Sequence, residues 1–209
     1  SNARNYWLMG QNVAAGQAVR GVLAVDPGNV AATEMYQLLI SPALTAARAA
    51  QQENNVTALL QHAEELLSIA PDHIEGLGIM AGALARARRW QEAAGVWERL
   101  AVRIPASVEA HLQMARCHER VQALDLALMK YNDVIALDPN HAEAVTAAAR
   151  LSAVMLGQAR QKSQVGELEE AQRLLLLASR GRFENATAMA VSHHIAHQWL
   201  RKAREQFKA

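Results

Sequence analysis

The chain has 209 residues, of which 51% are hydrophobic and only 4% aromatic, with five prolines and a single cysteine. Its 21 basic and 20 acidic residues leave a formal charge of +1, so there is no bulk electrostatic case for nucleic acid or an anionic membrane as partner. The lone Cys117 excludes an internal disulfide and a cysteine-based zinc site, and no apolar run approaches the roughly 18 residues of a membrane span.

Ala, Leu, Gln, Glu and Arg dominate, and these residues lose little on entering a helix. No stretch of alternating β-branched or aromatic residues bounded by turn signals is present, so the chain is predicted to be all-α. Ser1-Asn2-Ala3 reads as the remnant of a cleaved tag (residues 1–3) and is set apart from the fold. A short helix over Arg4–Met9, a loop at Gly10-Gln11 and a second helix over Asn12–Val25 make residues 4–27 a partial repeat. So short a first helix predicts that the natural protein continues N-terminally. Targeting cannot then be judged, and a cytoplasmic location is the default expectation.

Residues 28–71 form an extended repeat, because Pro27 and Pro71 stand 44 apart. The ten extra residues are placed around Ile40-Ser41-Pro42, as a lengthened, Pro-kinked helix or as two short helices. Ten residues are close to three helical turns, so the buried face stays in phase. Two regular repeats follow, 72–105 and 106–139, with Pro71, Pro105 and Pro139 each 34 apart. Glu75, Glu109 and Glu143 keep the same step, as do Ala81, Ala115 and Ala149. Ala93 likewise pairs with Ala127, Trp97 with Tyr131, and Leu100 with Val134. Asp72 with Glu75, and Asn140 with Glu143, predict helix starts of the capping-box kind.

Residues 140–180 read as another extended repeat, with a helix to about Lys162 and a second opened by Gly166-Glu167-Leu168-Glu169-Glu170-Ala171. A capping helix over 182–207 follows, started by Gly181-Arg182-Phe183-Glu184-Asn185-Ala186. Its outer face suits Gln198, Arg201, Lys202, Arg204, Glu205 and Lys208, since a terminal repeat must present a polar side. No linker rich in Gly, Ser or Pro interrupts the chain, so 4–209 is predicted to be one continuous domain.

The 34-residue period, the small residue eight places into each unit, the small residue early in the second helix, the aromatic four later and the closing proline together resemble the tetratricopeptide repeat. Ile74–Pro105 carries the resemblance through Leu77, Met80, Ala81, Leu84, Ala93, Trp97, Leu100 and Pro105. Val108–Pro139 carries it through His111, Met114, Ala115, His118, Ala127, Tyr131, Val134 and Pro139, where the two histidines replace the usual large apolar or aromatic residue. The resemblance implies an α-solenoid: a right-handed superhelix of antiparallel helix hairpins, about four to five repeats with a C-terminal capping helix. It also implies a non-catalytic interaction module or scaffold that binds a peptide or partner helix in a concave groove.

By the family register, the groove residues are Glu75, Gly78, Gly82, Ala85 and Arg86 in one unit. The next unit gives Glu109, Leu112, Arg116, Glu119 and Arg120, and the third Glu143, Thr146, Arg150 and Ala153. The Lys, Asn and Arg set with which chaperone-binding members hold C-terminal tails is replaced here by Gly78, Gly82, Gln113, Glu143 and Ala147, which argues against such tails. Two readings of the periodic arginines stand open. They could clamp carboxylates of a bound segment bidentately, or they could pair with the equally periodic glutamates.

His193 and His197 lie four apart on one helix face, but position 194 is His where a catalytic zinc helix has Glu, and no third ligand is identifiable. They read as a surface cluster. Cys117 and His118, adjacent on a helix, point about 100° apart, and Cys117 reads as a buried structural thiol. No phosphate loop, nucleophile elbow or paired-carboxylate geometry is found, so no enzyme activity, cofactor or metal is expected. Two alternatives remain: an accessory segment of a larger bacterial enzyme, such as a glycosyltransferase or sulfotransferase carrying repeats, and a homo-oligomer assembled through exposed repeat ends.

Overall fold

The computed structural model describes residues 2–179 and 185–206, with side chains in the last helix from Ala188 onward. The predicted start of that helix at Gly181–Glu184, residue 207 and the polar Lys208 lie outside the described residues. Among the described residues there are eleven helices and no strand. They are α1 (Asn2–Leu8), α2 (Asn12–Val25), α3 (Val30–Gln52), α4 (Val56–Ile69), α5 (Ile74–Arg86), α6 (Trp90–Arg103), α7 (Val108–Arg120), α8 (Leu124–Leu137), α9 (Ala142–Gln164), α10 (Leu168–Ala178) and α11 (Asn185–Gln206). Partners such as α1 and α2, α3 and α4, α5 and α6, and α9 and α10 pack on one another across short turns, so they run antiparallel.

The period is written into the backbone at both kinds of turn. Within each hairpin one residue takes a left-handed conformation: Gly10, Asn54, Arg88, Gln122 and Gly166. The N–H after it reaches back five residues, from Gln11 to Tyr6, Asn55 to Ala50, Arg89 to Leu84, Ala123 to His118 and Glu167 to Lys162, at 2.8–3.0 Å. These are Schellman closures, which satisfy carbonyls that a helix end leaves open.

Between hairpins the prolines set a second turn. His73 N–H donates to the Ala70 carbonyl, Ser107 to Ile104 and His141 to Asp138, each bracketing a proline that cannot continue a helix. The last residue of that four-residue turn caps the next helix. Asn29 accepts from Ala32 N–H at 3.0 Å, His73 Nδ1 from Gly76 at 3.1 Å, Ser107 from Ala110 at 3.2 Å and His141 Nδ1 from Ala144 at 3.3 Å.

The predicted caps at Asp72 and Asn140 are thereby corrected by one residue, because the proline turn absorbs those positions. Asp72 lies 3.8 Å from Arg103 instead, and the Asn140 N–H donates to Asp138. Asn2 and Ala3 are helical, and Ala3 is buried against Ala15, Val19 and Ile40.

The ten extra residues of the second repeat lie in one continuous 23-residue α3 with Pro42 inside. Pro42 is exposed, so the carbonyl it leaves without an in-helix donor is on the solvated side. Leu39, Ile40, Ala43, Ala47 and Ala50 keep the buried stripe at helical spacing straight through it.

Packing divides the chain into two compact units at the Ala110–His111 bond inside α7. In the first, Val19, Leu39, Ile40, Leu66 and Ile69 form one core, and Ala47, Leu59, Ala63, Ile79 and Ala83 another. Gly16 lets α2 approach α4: a Cβ there would sit 2.7 Å from the Ile69 carbonyl oxygen. In the second, Ala159, Ala171, Val191 and Ile195 gather α9, α10 and α11, with Leu174, Leu175 and Trp199 packed around them.

Candidate protein-interaction surface

In the first unit the predicted groove residues lie on the first helices of the hairpins. Glu75 is exposed in the first turn of α5, and its carboxylate is held bidentately by Arg48 of α3, at 2.7 Å to each oxygen. That guanidinium keeps the Glu75 carboxyl below the usual carboxylate range. Gly78 and Gly82, one turn apart, leave open space where a Cβ would project. Arg86 is exposed in the last turn of α5, and Glu109 is exposed in the first turn of α7.

In the second unit two guanidinium–carboxylate pairs cross from α7 to α9. Arg116 Nε donates to Glu143 Oε1 at 2.7 Å, and its second nitrogen reaches Glu143 Oε2. Arg150 donates to Glu119 at 2.7 Å. Arg116 lowers the Glu143 carboxyl below its ordinary range, through the hydrogen bond first. The other Glu119 oxygen accepts from Tyr131 O–H at 3.1 Å. Burial, and then the Glu119 charge, push the Tyr131 phenol well above its ordinary value, so it stays a neutral donor. Arg120 is exposed, and Thr146 is exposed with its hydroxyl donating to the Ala142 carbonyl. Leu112 is only 5% exposed and offers no surface to a ligand.

Of the two readings of the arginines, the self-paired one is realised for Arg116 and Arg150. Arg48 belongs to the same series and was not singled out from sequence. Counting back 34 residues from Gly82 finds it, since 48, 82, 116 and 150 share one register position. The bond from that position to the glutamate 27 residues later recurs in Arg48–Glu75 and Arg116–Glu143. Gly82 holds the arginine's place in the intervening unit.

Elsewhere, His193, His194 and His197 are exposed on α11, and among the described residues no group of three or more His, Cys, Asp or Glu could hold a metal ion. Cys117 is buried, which raises its thiol pKa. No helix among the described residues is long and apolar enough to cross a membrane.

In sequence the chain matches no protein family and no curated protein. Among solved structures it is similar to the first TPR of Spaghetti (RPAP3) bound to the HSP90 peptide SRMEEVD, with a TM-score of 0.50 and 16% identity over 56% of this chain and 94% of that one. It is similar to the Arabidopsis OM64 TPR domain at 0.50 and 16%, over 56% and 96%. It is also similar to MamA MSR-1 C2 at 0.50 and 16%, over 84% and 95%. At these identities the likeness is one of fold, and it meets the turn and cap periodicity already described. The chain has the all-α fold of tetratricopeptide-like helical repeats.

Proposed function

We propose that the chain is a protein-interaction module that holds a peptide or partner helix against the exposed faces of its first helices. The observation that carries this reading is glycine without an internal reason. A helix-interior glycine costs about 1 kcal/mol relative to alanine. At Gly16 and Gly76 close packing explains it, since a Cβ would lie 2.7 and 2.8 Å from neighbouring atoms. At Gly78 and Gly82 nothing lies within 4 Å, and the helix backbone is left open to close approach from outside.

Around this floor Glu75, Arg86 and Glu109 are the polar contacts proposed for the first unit. Arg116, Glu119, Arg120, Glu143, Thr146 and Arg150 are those proposed for the second. A ligand carboxylate at Arg116 would have to displace Glu143. Recognition therefore rests on shape and apolar contact more than on a preformed carboxylate clamp. The structure of the RPAP3 repeat domain contains a bound peptide, which supports peptide binding as a use of this fold.

Affinity capture with the tagged chain, followed by quantitative mass spectrometry, tests the proposal. The captured partner is expected to be lost with Gly78→Leu plus Gly82→Leu, and weakened with Arg116→Ala plus Arg120→Ala. A partner set indifferent to both pairs would remove the groove reading.

Self-association is a second reading, favoured by exposed apolar side chains at the α1–α2 turn: Trp7, Leu8, Met9 and Val13, with Leu8 70% and Met9 72% exposed. Light scattering over a wide concentration range tests it, and a constant monomer mass excludes it.

A further inference from the structure

The second unit contains a cleft of about 540 Å³ between α9 and α11, lined among others by Leu156, Gly157, Arg160, Gln164, Val191 and His194. It owes its existence to an insertion. Helices α5 and α7 have 13 residues each, whereas α9 has 23, and Leu156, Gly157, Arg160 and Gln164 all lie beyond the thirteenth residue. The cleft is therefore a feature of this lengthened unit, absent from the two regular repeats.

Its chemistry is two-sided. Leu156 and the buried Val191 give an apolar wall, and Gly157 leaves open space where a side chain would stand. Arg160 and His194 face the same volume, and none of the described lining residues is acidic. Arg160 has no ion pair or hydrogen bond among the described residues, unlike Lys162, which pairs with Glu167, and Arg173, which pairs with Glu170. Beyond it α11 continues with exposed His193, His197, Arg201, Lys202 and Arg204 against a single acid, Glu205. The volume suits one or two side chains. A cation beside an apolar wall, with no counter-charge among the described residues, complements an anion attached to an aliphatic or aromatic group.

We infer that this cleft receives an acidic segment of a partner polypeptide, with a large apolar side chain seated over Gly157 against Leu156 and Val191 and a neighbouring carboxylate on Arg160. His194 and Gln164 supply further donors at the rim. The inference rests on the interaction-module reading and names the chemistry of its partner.

Selection from a random dodecapeptide library displayed on phage, using the whole chain as bait, tests it. Enriched peptides are expected to carry Asp or Glu beside a large apolar residue. A synthetic copy should lose about tenfold or more in affinity to Arg160→Glu, to Gly157→Leu, and when its own acids become amides. Gly157→Leu fills open space on an exposed helix face and gains helix propensity, so a melting temperature no lower than the parent's separates blockage from misfolding. Enriched peptides without acidic bias, or ones that bind Gly157→Leu as well as the parent, would overturn the cleft assignment and leave the interaction-module reading standing. A library that yields no specific binder would count against both.

Discussion

Replacing Arg88 and Gln122 by glycine is expected to raise the stability of the fold without altering any packed side chain. Both sit in the left-handed region, with φ of 60° and 61°, at the hairpin position that Gly10 and Gly166 hold in the outer units. A residue with a Cβ loses about 1–2 kcal/mol there, because the Cβ crowds the following carbonyl oxygen. Glycine removes that cost and returns roughly 0.5–1 kcal/mol of it as lost backbone freedom on folding. Both residues are exposed, and the closures they serve, Arg89 to Leu84 and Ala123 to His118 at 2.9 Å, are backbone bonds that glycine keeps. The Gln122 side chain reaches the Glu119 carbonyl only at 3.5 Å, so little is lost with it. The net gain is about 0.5–1 kcal/mol per site, and a chain of this size gains roughly 2–4 °C in melting temperature per kcal/mol. Calorimetry on Arg88→Gly, Gln122→Gly and the double variant measures it, with Arg88→Ala and Gln122→Ala as controls that retain the Cβ. If the glycine variants melt no higher than the alanine ones, the left-handed cost is not what the turn carries.

Gly82→Ala should stabilise by about 1 kcal/mol through helix propensity, whereas Gly16→Ala, whose Cβ would strike the Ile69 carbonyl, should destabilise by about 1–3 kcal/mol in denaturant titration. Glu119→Ala leaves the buried Tyr131 hydroxyl without the acceptor it uses and should cost about 1–3 kcal/mol. Tyr131→Phe removes the hydroxyl itself and should cost less, so the reverse order in chemical denaturation would contradict the assigned bond. His73 caps α5 through an unprotonated Nδ1, and burial holds its imidazole below the ordinary value of 6.5. The unfolded chain therefore takes up that proton first, so the cap's contribution is full above about pH 6.5 and is lost as pH falls through the folded value. His73→Asn, which caps as Asn29 does, should flatten the fall in melting temperature over that window, and an unchanged slope would exclude His73 as its source.

The 34-residue step was legible because it repeats across residue types under independent demands: prolines for the turn, small residues for helix approach, aromatics for filling. The helix caps were less so. Asp72 and Asn140 have the composition of caps, yet the turn that each proline imposes places the following histidine at the cap. Geometry set by a neighbour overrode residue preference. Arg88 and Gln122 carry no signal for a left-handed turn comparable to Gly10, Gly166 or Asn54, and only the period points to them. Pro42 left two outcomes open, which the unbroken stripe of Leu39, Ala43 and Ala47 decided in favour of one helix. The periodic arginines and glutamates were visible, but their pairing depends on how closely neighbouring first helices approach, a distance that no single helix encodes.

That pairing changes where recognition is to be sought. An exposed guanidinium held bidentately by a glutamate presents little net charge to a passing acid, and such surface pairs are worth only about 0.2–1 kcal/mol, so they orient side chains more than they hold the fold together. In the first unit the series lapses at Gly82, where Arg48 and Arg116 predict an arginine and the helix instead shows bare backbone. In the second, Arg116 and Arg150 are engaged by Glu143 and Glu119, while Arg160, three turns further along α9, faces a cleft with no acid among its described lining residues. Gly82→Arg tests this logic directly. If position 82 is simply an omitted rung, the arginine should raise stability beyond Gly82→Ala and leave partner capture intact. If the gap serves a ligand, the same substitution should stabilise the fold and abolish capture. A variant that binds undiminished while gaining stability would refute the reading of α5 as a contact floor.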